Sequence, residues 1–146
     1  MSEAIAFDGH EIAPETRAFL NQRGKLLIGG QWIDGSGLME SRDPATGLVL
    51  AEFETGGAAE IDLAVAAARS AFQGPWRRMT ASERMALMTR LARLMEQNAQ
   101  LLTELDIVDN GMPSFIAGLT TSNCVEMVDY YAGAIMRIEG STMVPP

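Results

Sequence analysis

The sequence predicts an α+β chain in which two β-hairpins precede three or four helices. Three observations carry that expectation. Turn residues punctuate residues 25–54 at short intervals, with apolar runs of strand length between them. From Gly56-Gly57 onward the apolar spacing becomes helical. No strand-like run returns between those helices, so the stretch does not build a parallel βαβ sheet from its own parts.

The first hairpin is read from Lys25-Leu26-Leu27-Ile28 and Gln31-Trp32-Ile33 around Gly29-Gly30, a turn that needs positive φ. Asp34-Gly35-Ser36-Gly37 turns again, and Glu40-Ser41-Arg42 faces Leu48 to Glu54 across Asp43-Pro44-Ala45-Thr46-Gly47. Alternation in the latter strand buries at least one of its faces. The first helix carries Ile61, Ala64, Val65, Ala68 and Phe72 on one face and stops at Gly74-Pro75. The second opens on the capping box Thr80-Ala81-Ser82-Glu83 and presents Leu87, Met88, Leu91, Leu94 and Met95. Asn98 is placed to cap a third helix with Leu102, Leu105 and Val108, ended by Asn110-Gly111. A fourth follows Pro113, its later part showing Val125, Val128, Ala132, Ile135 and Ile138, with Gly140 as its stop. Residues 1–24 show no sustained period beyond a short turn around Pro14 to Leu20. They are expected to form a loosely ordered tail, with residues 25–146 forming one partial domain.

Of 146 residues, 47% are hydrophobic and 21% charged, enough for a core and against wholesale disorder. A net charge of −8 disfavours phosphate-backbone binding. The basic group Arg77, Arg78, Arg84, Arg90 and Arg93 reads as a solvated helix face. A single cysteine, Cys124, excludes an internal disulfide and fits a reducing compartment. No apolar run approaches the roughly 18 residues that span a bilayer, and the polar start is no signal peptide. The chain is therefore expected to be soluble and cytoplasmic. Ten methionines suit an adaptable surface covered by further protein.

Six short segments, in order, resemble the opening of the aldehyde dehydrogenase superfamily. Gly29-Gly30-Gln31-Trp32 with its Asp-Gly turn is similar to the family's first hairpin. Arg42-Asp43-Pro44-Ala45-Thr46-Gly47 is similar to its "NPATG" turn, with Asp in place of Asn. The alanine-rich run 64–72, Trp76-Arg77-Arg78-Met79 with Glu83-Arg84, Asp109-Asn110-Gly111-Met112-Pro113, and Tyr130-Tyr131-Ala132-Gly133 complete the set. The resemblance spans about residues 26–140. It implies an incomplete piece of an α/β coenzyme-binding domain, and for the complete enzyme oxidation of an aldehyde to a carboxylic acid with NAD or NADP. The family's nucleophilic cysteine, its water-activating glutamate and its dinucleotide turn have no matching position here. No catalytic or cofactor-binding residue is assigned, and this chain alone is expected neither to bind coenzyme nor to act as a dehydrogenase.

Two inherited sites are implied. A monovalent cation would be held near the backbone of Ser41 and Arg42 and by Asp109, an oxygen set suited to a hard ion. An Asp before Asn-Gly at a helix end is equally what a turn selects. Leu119 and Asn123 would face the family's aldehyde tunnel, or are simply residues of a helix start. Met112 stands where the family has lysine and removes a cation.

Other candidates have bland readings. Cys124 sits within a helix pattern with no His, Lys or Arg beside it to favour a thiolate, so a half-buried packing residue is expected. His10 lies in the tail, too far along the chain to make a dyad with Cys124 unless the tail folds across the helices. Glu126 and Asp129 share a face, which is usual for a solvated helix. Trp32 and Trp76 read as packing residues. The partner is expected to be the remainder of an aldehyde dehydrogenase chain or a full-length homologue, homo-oligomeric when complete. The alternative is a non-catalytic interaction module that pairs with a full-length relative, and a thiol enzyme using Cys124 is the weakest reading.

Overall fold

The computed structural model describes residues 6–7 and 10–141. Strands β1 (Ala6–Phe7) and β2 (His10–Glu11) lead into helix α1 (Pro14–Leu20). Strands β3 (Leu26–Ile28), β4 (Gln31–Ile33), β5 (Gly37–Arg42) and β6 (Val49–Thr55) follow, then helices α2 (Ala58–Ala71), α3 (Ala81–Gln97), α4 (Ala99–Asn110) and α5 (Ser114–Ala134). The strands pair as three antiparallel two-stranded sheets, β1–β2, β3–β4 and β5–β6. From Leu26 onward the expected order of two hairpins before the helices is what the chain adopts, with α1 preceding them.

Local chemistry sets most of these elements. Gly29 and Gly30 take φ of 61° and 80°, so the two-residue turn of β3–β4 is the type whose twist matches its strands. Thr80 Oγ1 accepts the Glu83 N–H at 3.2 Å, and the Glu83 carboxylate accepts the Thr80 N–H at 2.7 Å, closing the capping box of α3. Gly111, at φ 72°, ends α4 in the left-handed conformation. Two expected signals act otherwise. Asn98 turns its side-chain amide back to the Leu94 carbonyl at 2.7 Å, closing α3 and leaving α4 without a side-chain cap. Helix α5 stops at Ala134 and runs into a short tight turn at Ile135–Arg137, well before Gly140.

Packing falls into two nuclei. Helix α5 lies against both α3 and α4, with the small buried residues Ala92, Ala117, Thr121 and Ala132 permitting close approach. The second nucleus gathers Ile12, Leu50 and Val108, with Leu20 against it. Here the tail reading is corrected for its second half. Thr16 is 0% exposed, its hydroxyl donates to Glu104 at 2.5 Å, and the Ala13 N–H donates to the same carboxylate at 2.9 Å. Helix α1 is therefore docked on α4 by partners about ninety positions away in sequence, which no local pattern reveals.

The predicted helix faces form, but several remain uncovered. Helix α2 buries no residue, and Ile61 and Val65 stay exposed, as does Phe72 just past its end; its main contacts among the described residues are with strand β3 and the segment that follows α2. Leu87, Leu91 and Leu94 on α3 are also exposed, and so are Phe115, Ile116, Leu119, Met127 and Tyr130 on α5. The chain exposes 10928 Å², whereas a folded monomer of its 15.8 kDa would expose about 7,300 Å² by the usual scaling. The excess, roughly 3,600 Å², exceeds the ~1,600 Å² total of a standard protein interface.

Candidate functional site

The residues singled out in the two turn motifs meet in space. Asp43 is fully buried and organises the β5–β6 connection. Its carboxylate accepts the Ala45 N–H at 2.9 Å, the Thr46 N–H at 3.1 Å and the Thr46 hydroxyl. Its own N–H donates to Leu48 O at 3.0 Å, and its carbonyl accepts from Gly47 N at 2.7 Å, where Gly47 has φ of 74°. An Asp fits here because a short side chain with two acceptor oxygens can satisfy successive turn amides.

The ladder shifts register between Ser41 and Arg42. Ser41 pairs with Ala51 and Arg42 with Val49, so Leu50 is the extra residue of a bulge on β6. Leu50 packs on Val108, the residue before Asp109. The consequence is that Ser41 Oγ donates to Asp109 Oδ1 at 2.5 Å, joining residues 68 apart in sequence. The end of α4 also leans on the turn, since a Cβ at Gly111 would meet Pro44 Cγ at 3.1 Å. The Arg42 guanidinium points elsewhere, pairing with Glu40 and donating to Gly47 O at 3.1 Å.

The oxygens assembled here suit a weakly held hard cation. Those that the structure brings into contact are the Asp109 carboxylate and the Ser41 hydroxyl, both hard oxygen donors. Among the described residues no group of three His, Cys, Asp or Glu side chains gathers, so this donor set does not match a transition-metal centre.

Leu119 and Asn123 lie one helical turn apart on α5, both exposed. They share that outer face with Ile116, Met127 and Tyr130. Met112 is partly buried, and the Thr120 hydroxyl lies 3.8 Å from its sulfur.

Several residues differ from their expected roles. Cys124 is exposed and not half-buried. Trp32 is 66% exposed and does not serve as a packing residue. Arg84 leaves the solvated basic group. It donates to Trp76 O at 3.1 Å, with its guanidinium carbon 5.4 Å from the Trp76 ring centre. Glu126 and Asp129 are both exposed, in keeping with a solvated face. The His10 side chain lies outside the described residues.

Two polar arrangements carry no sequence signal. Buried Glu54 pairs with Arg23 at 2.8 Å and accepts the Gly35 N–H at 3.1 Å. Glu104 gathers Ala13, Thr16 and, at 3.0 Å, the Gln100 amide. Burial works to raise the Glu104 pKa, but hydrogen bonds from Thr16, Gln100 and the Ala13 N–H outweigh it, so the net displacement is downward.

A family model described as the aldehyde dehydrogenase family matches residues 32–146. The chain belongs to that family. It is 38% identical over 123 residues to aldehyde dehydrogenase 1 of Tanacetum cinerariifolium, covering 82% of this chain and 25% of that one. It is 37% identical over 134 residues to the mitochondrial aldehyde dehydrogenase of Homo sapiens, covering 88% and 25%. Among solved structures, the NAD+ complex of the Bacillus cereus aldehyde dehydrogenase superposes with a TM-score of 0.86 at 40% identity, covering 91% and 28%. An NAD-dependent aldehyde dehydrogenase of Sinorhizobium meliloti gives 0.81 at 30%, covering 94% and 27%. The chain thus spans about a quarter of the length of the aldehyde dehydrogenases it matches. What folds here is a partial α/β domain of an aldehyde dehydrogenase.

Proposed function

We propose that this chain is the N-terminal part of an NAD-dependent aldehyde dehydrogenase, supplying outer strands and helices of the coenzyme-binding domain. The complete enzyme would oxidise an aldehyde to a carboxylic acid, in the cytoplasm and as a homo-oligomer. The observation that carries this reading is the superposition on an NAD+-bound aldehyde dehydrogenase over 91% of this chain but 28% of that one. The uncovered apolar faces of α2, α3 and α5 support it, since they are the surface that the remaining protein would bury.

Alone, the chain would neither bind coenzyme nor turn over aldehyde. Its one cysteine, Cys124, is exposed on helix α5. At the Ser41–Asp109 contact, the Asp109 carboxylate and nearby carbonyls would hold a monovalent cation, which would brace the β5–β6 turn against α4. Leu119 and Asn123 would face the aldehyde entrance. The same exposed faces fit a second reading, a non-catalytic module that pairs with a full-length relative.

The test is NADH formation from NAD and a panel of aliphatic and aromatic aldehydes, with immunoblotting of source cells against this segment. The isolated 146-residue chain should form no NADH, and the native band should be several times heavier than 15.8 kDa. A band at the chain's own mass would favour the module. NADH formation by the isolated chain, abolished by Cys124→Ala, would overturn both readings.

A further inference from the structure

The site at Ser41 and Asp109 has a support behind it that the family reading does not use. Helix α1 is short and exposes most of its residues. What holds it is the Glu104 carboxylate, which takes the Ala13 N–H at 2.9 Å and the Thr16 hydroxyl at 2.5 Å, with Gln100 steadying its other oxygen. Beneath the clasp, Ile12 and Leu20 press on Leu50 and Val108. Those two residues are tied to the site by position. Leu50 is the bulge residue opposite Ser41 and Arg42, and Val108 precedes Asp109.

We infer that α1 is a strap that positions the Ser41–Asp109 contact, with Glu104 and Thr16 as its clasp and the Ile12–Leu50–Val108 nucleus as the transmitting element. Besides the approach of Gly111 to Pro44, this nucleus is what joins β6 to α4. Leu50 and Val108 are held together under Ile12, and the Ser41–Asp109 bond spans the two elements that carry them. Lifting α1 uncovers Leu50 and Val108 to water, and β6 and α4 lose the residue that bridges them. Coupling of this kind travels through contiguous packing. The coupling needs no cation and stands whether or not one binds.

Amide exchange on the full 146-residue chain tests it. Glu104→Ala should reduce protection about tenfold or more at Arg17 and Asn21 in α1. The Asp43, Gly47 and Gly111 amides should lose protection with them. Thr16→Val should reproduce both effects, and Thr16→Ser, which keeps the hydroxyl, should restore both. Thr80→Ala, which weakens the distant α3 cap, should leave the three turn amides unchanged, separating positioning from general destabilisation. If the clasp variants do not fold, the unaltered chain in dilute urea still decides. The α1 amides and the three turn amides should then follow one opening curve. Loss of α1 protection with the turn amides unmoved, or two separate curves, would overturn the proposal.

Discussion

Replacing Asp43 with Ala tests whether one side chain builds the β5–β6 connection. The carboxylate is buried and holds two turn amides at 2.9 and 3.1 Å, besides the Thr46 hydroxyl. A hydrogen bond to a charged acceptor contributes about 1.5–3 kcal/mol net. Ala45 and Thr46 are exposed, so their freed amides regain water and the lower end of that range applies to each. The hydroxyl adds little for the same reason, and release of a buried charge offsets part of the loss. The expected cost is therefore ~2–3 kcal/mol, against a total stability of about 5–15 kcal/mol for an ordinary domain. For a chain of this length each kcal/mol moves the thermal midpoint by roughly 2–4 °C, so a fall of about 5–10 °C is expected. Asp43→Asn keeps one acceptor oxygen and should lose about half as much. Urea unfolding followed by far-UV circular dichroism measures both, with an unchanged slope showing that the same surface is exposed. A cost below ~0.5 kcal/mol for Asp43→Ala would mean that Pro44 and Gly47 form the turn unaided.

Three other changes read different links of the structure. Gly111→Ala forces a left-handed residue to carry a Cβ 3.1 Å from Pro44 Cγ. It should cost at least ~1–2 kcal/mol in urea unfolding, whereas Gly118→Ala, with open space at its Cβ, should be neutral or stabilising. Glu83 is held below its ordinary pKa of 4.5, chiefly by the Thr80 N–H. A depressed carboxyl stabilises fully above its unfolded value and loses that stabilisation as pH falls through its folded value. The urea midpoint should accordingly drop below about pH 4.5 and drop less in Glu83→Gln, which removes the titrating carboxyl; equal pH profiles for the two proteins would refute the carboxylate's role in the cap. Finally, Ile116→Lys or Tyr130→Lys on the uncovered face of α5 should reduce binding of a hydrophobic dye while shifting stability by no more than ~0.5 kcal/mol, because both side chains are exposed. A large destabilisation would show that this face is already buried in solution.

The parts of this fold legible in sequence are those decided within a few residues. Gly29-Gly30, the Thr80–Glu83 box and Gly111 each adopt the geometry their chemistry requires. The helical faces were also readable, but a spacing of apolar residues says only that a face wants cover. Ile61 and Phe72 satisfy the pattern and remain exposed, because pattern does not reveal whether the covering element belongs to the described chain. Asn98 could serve either of two adjoining helices, and its amide donates backward where an acceptor was expected to face forward. Least legible were contacts between distant polar residues. Thr16 with Glu104, and Arg23 with Glu54, leave no periodic trace. The meeting of Ser41 and Asp109 came from family resemblance alone. The bulge that permits it depends on one residue being out of step, which alternation does not disclose.

That bulge makes the β5–β6 hairpin sensitive to parity. Side chains on a strand alternate faces, so the extra residue at Leu50 acts as a half-step that brings its side chain to the nucleus under α1 while Ser41 still reaches Asp109. Removing one residue between Leu48 and Ala51 would restore a regular ladder and exchange inside for outside along one arm of the hairpin. Removing two would shorten the arm but keep its sidedness. At this place in the chain, the smaller deletion is the more damaging one.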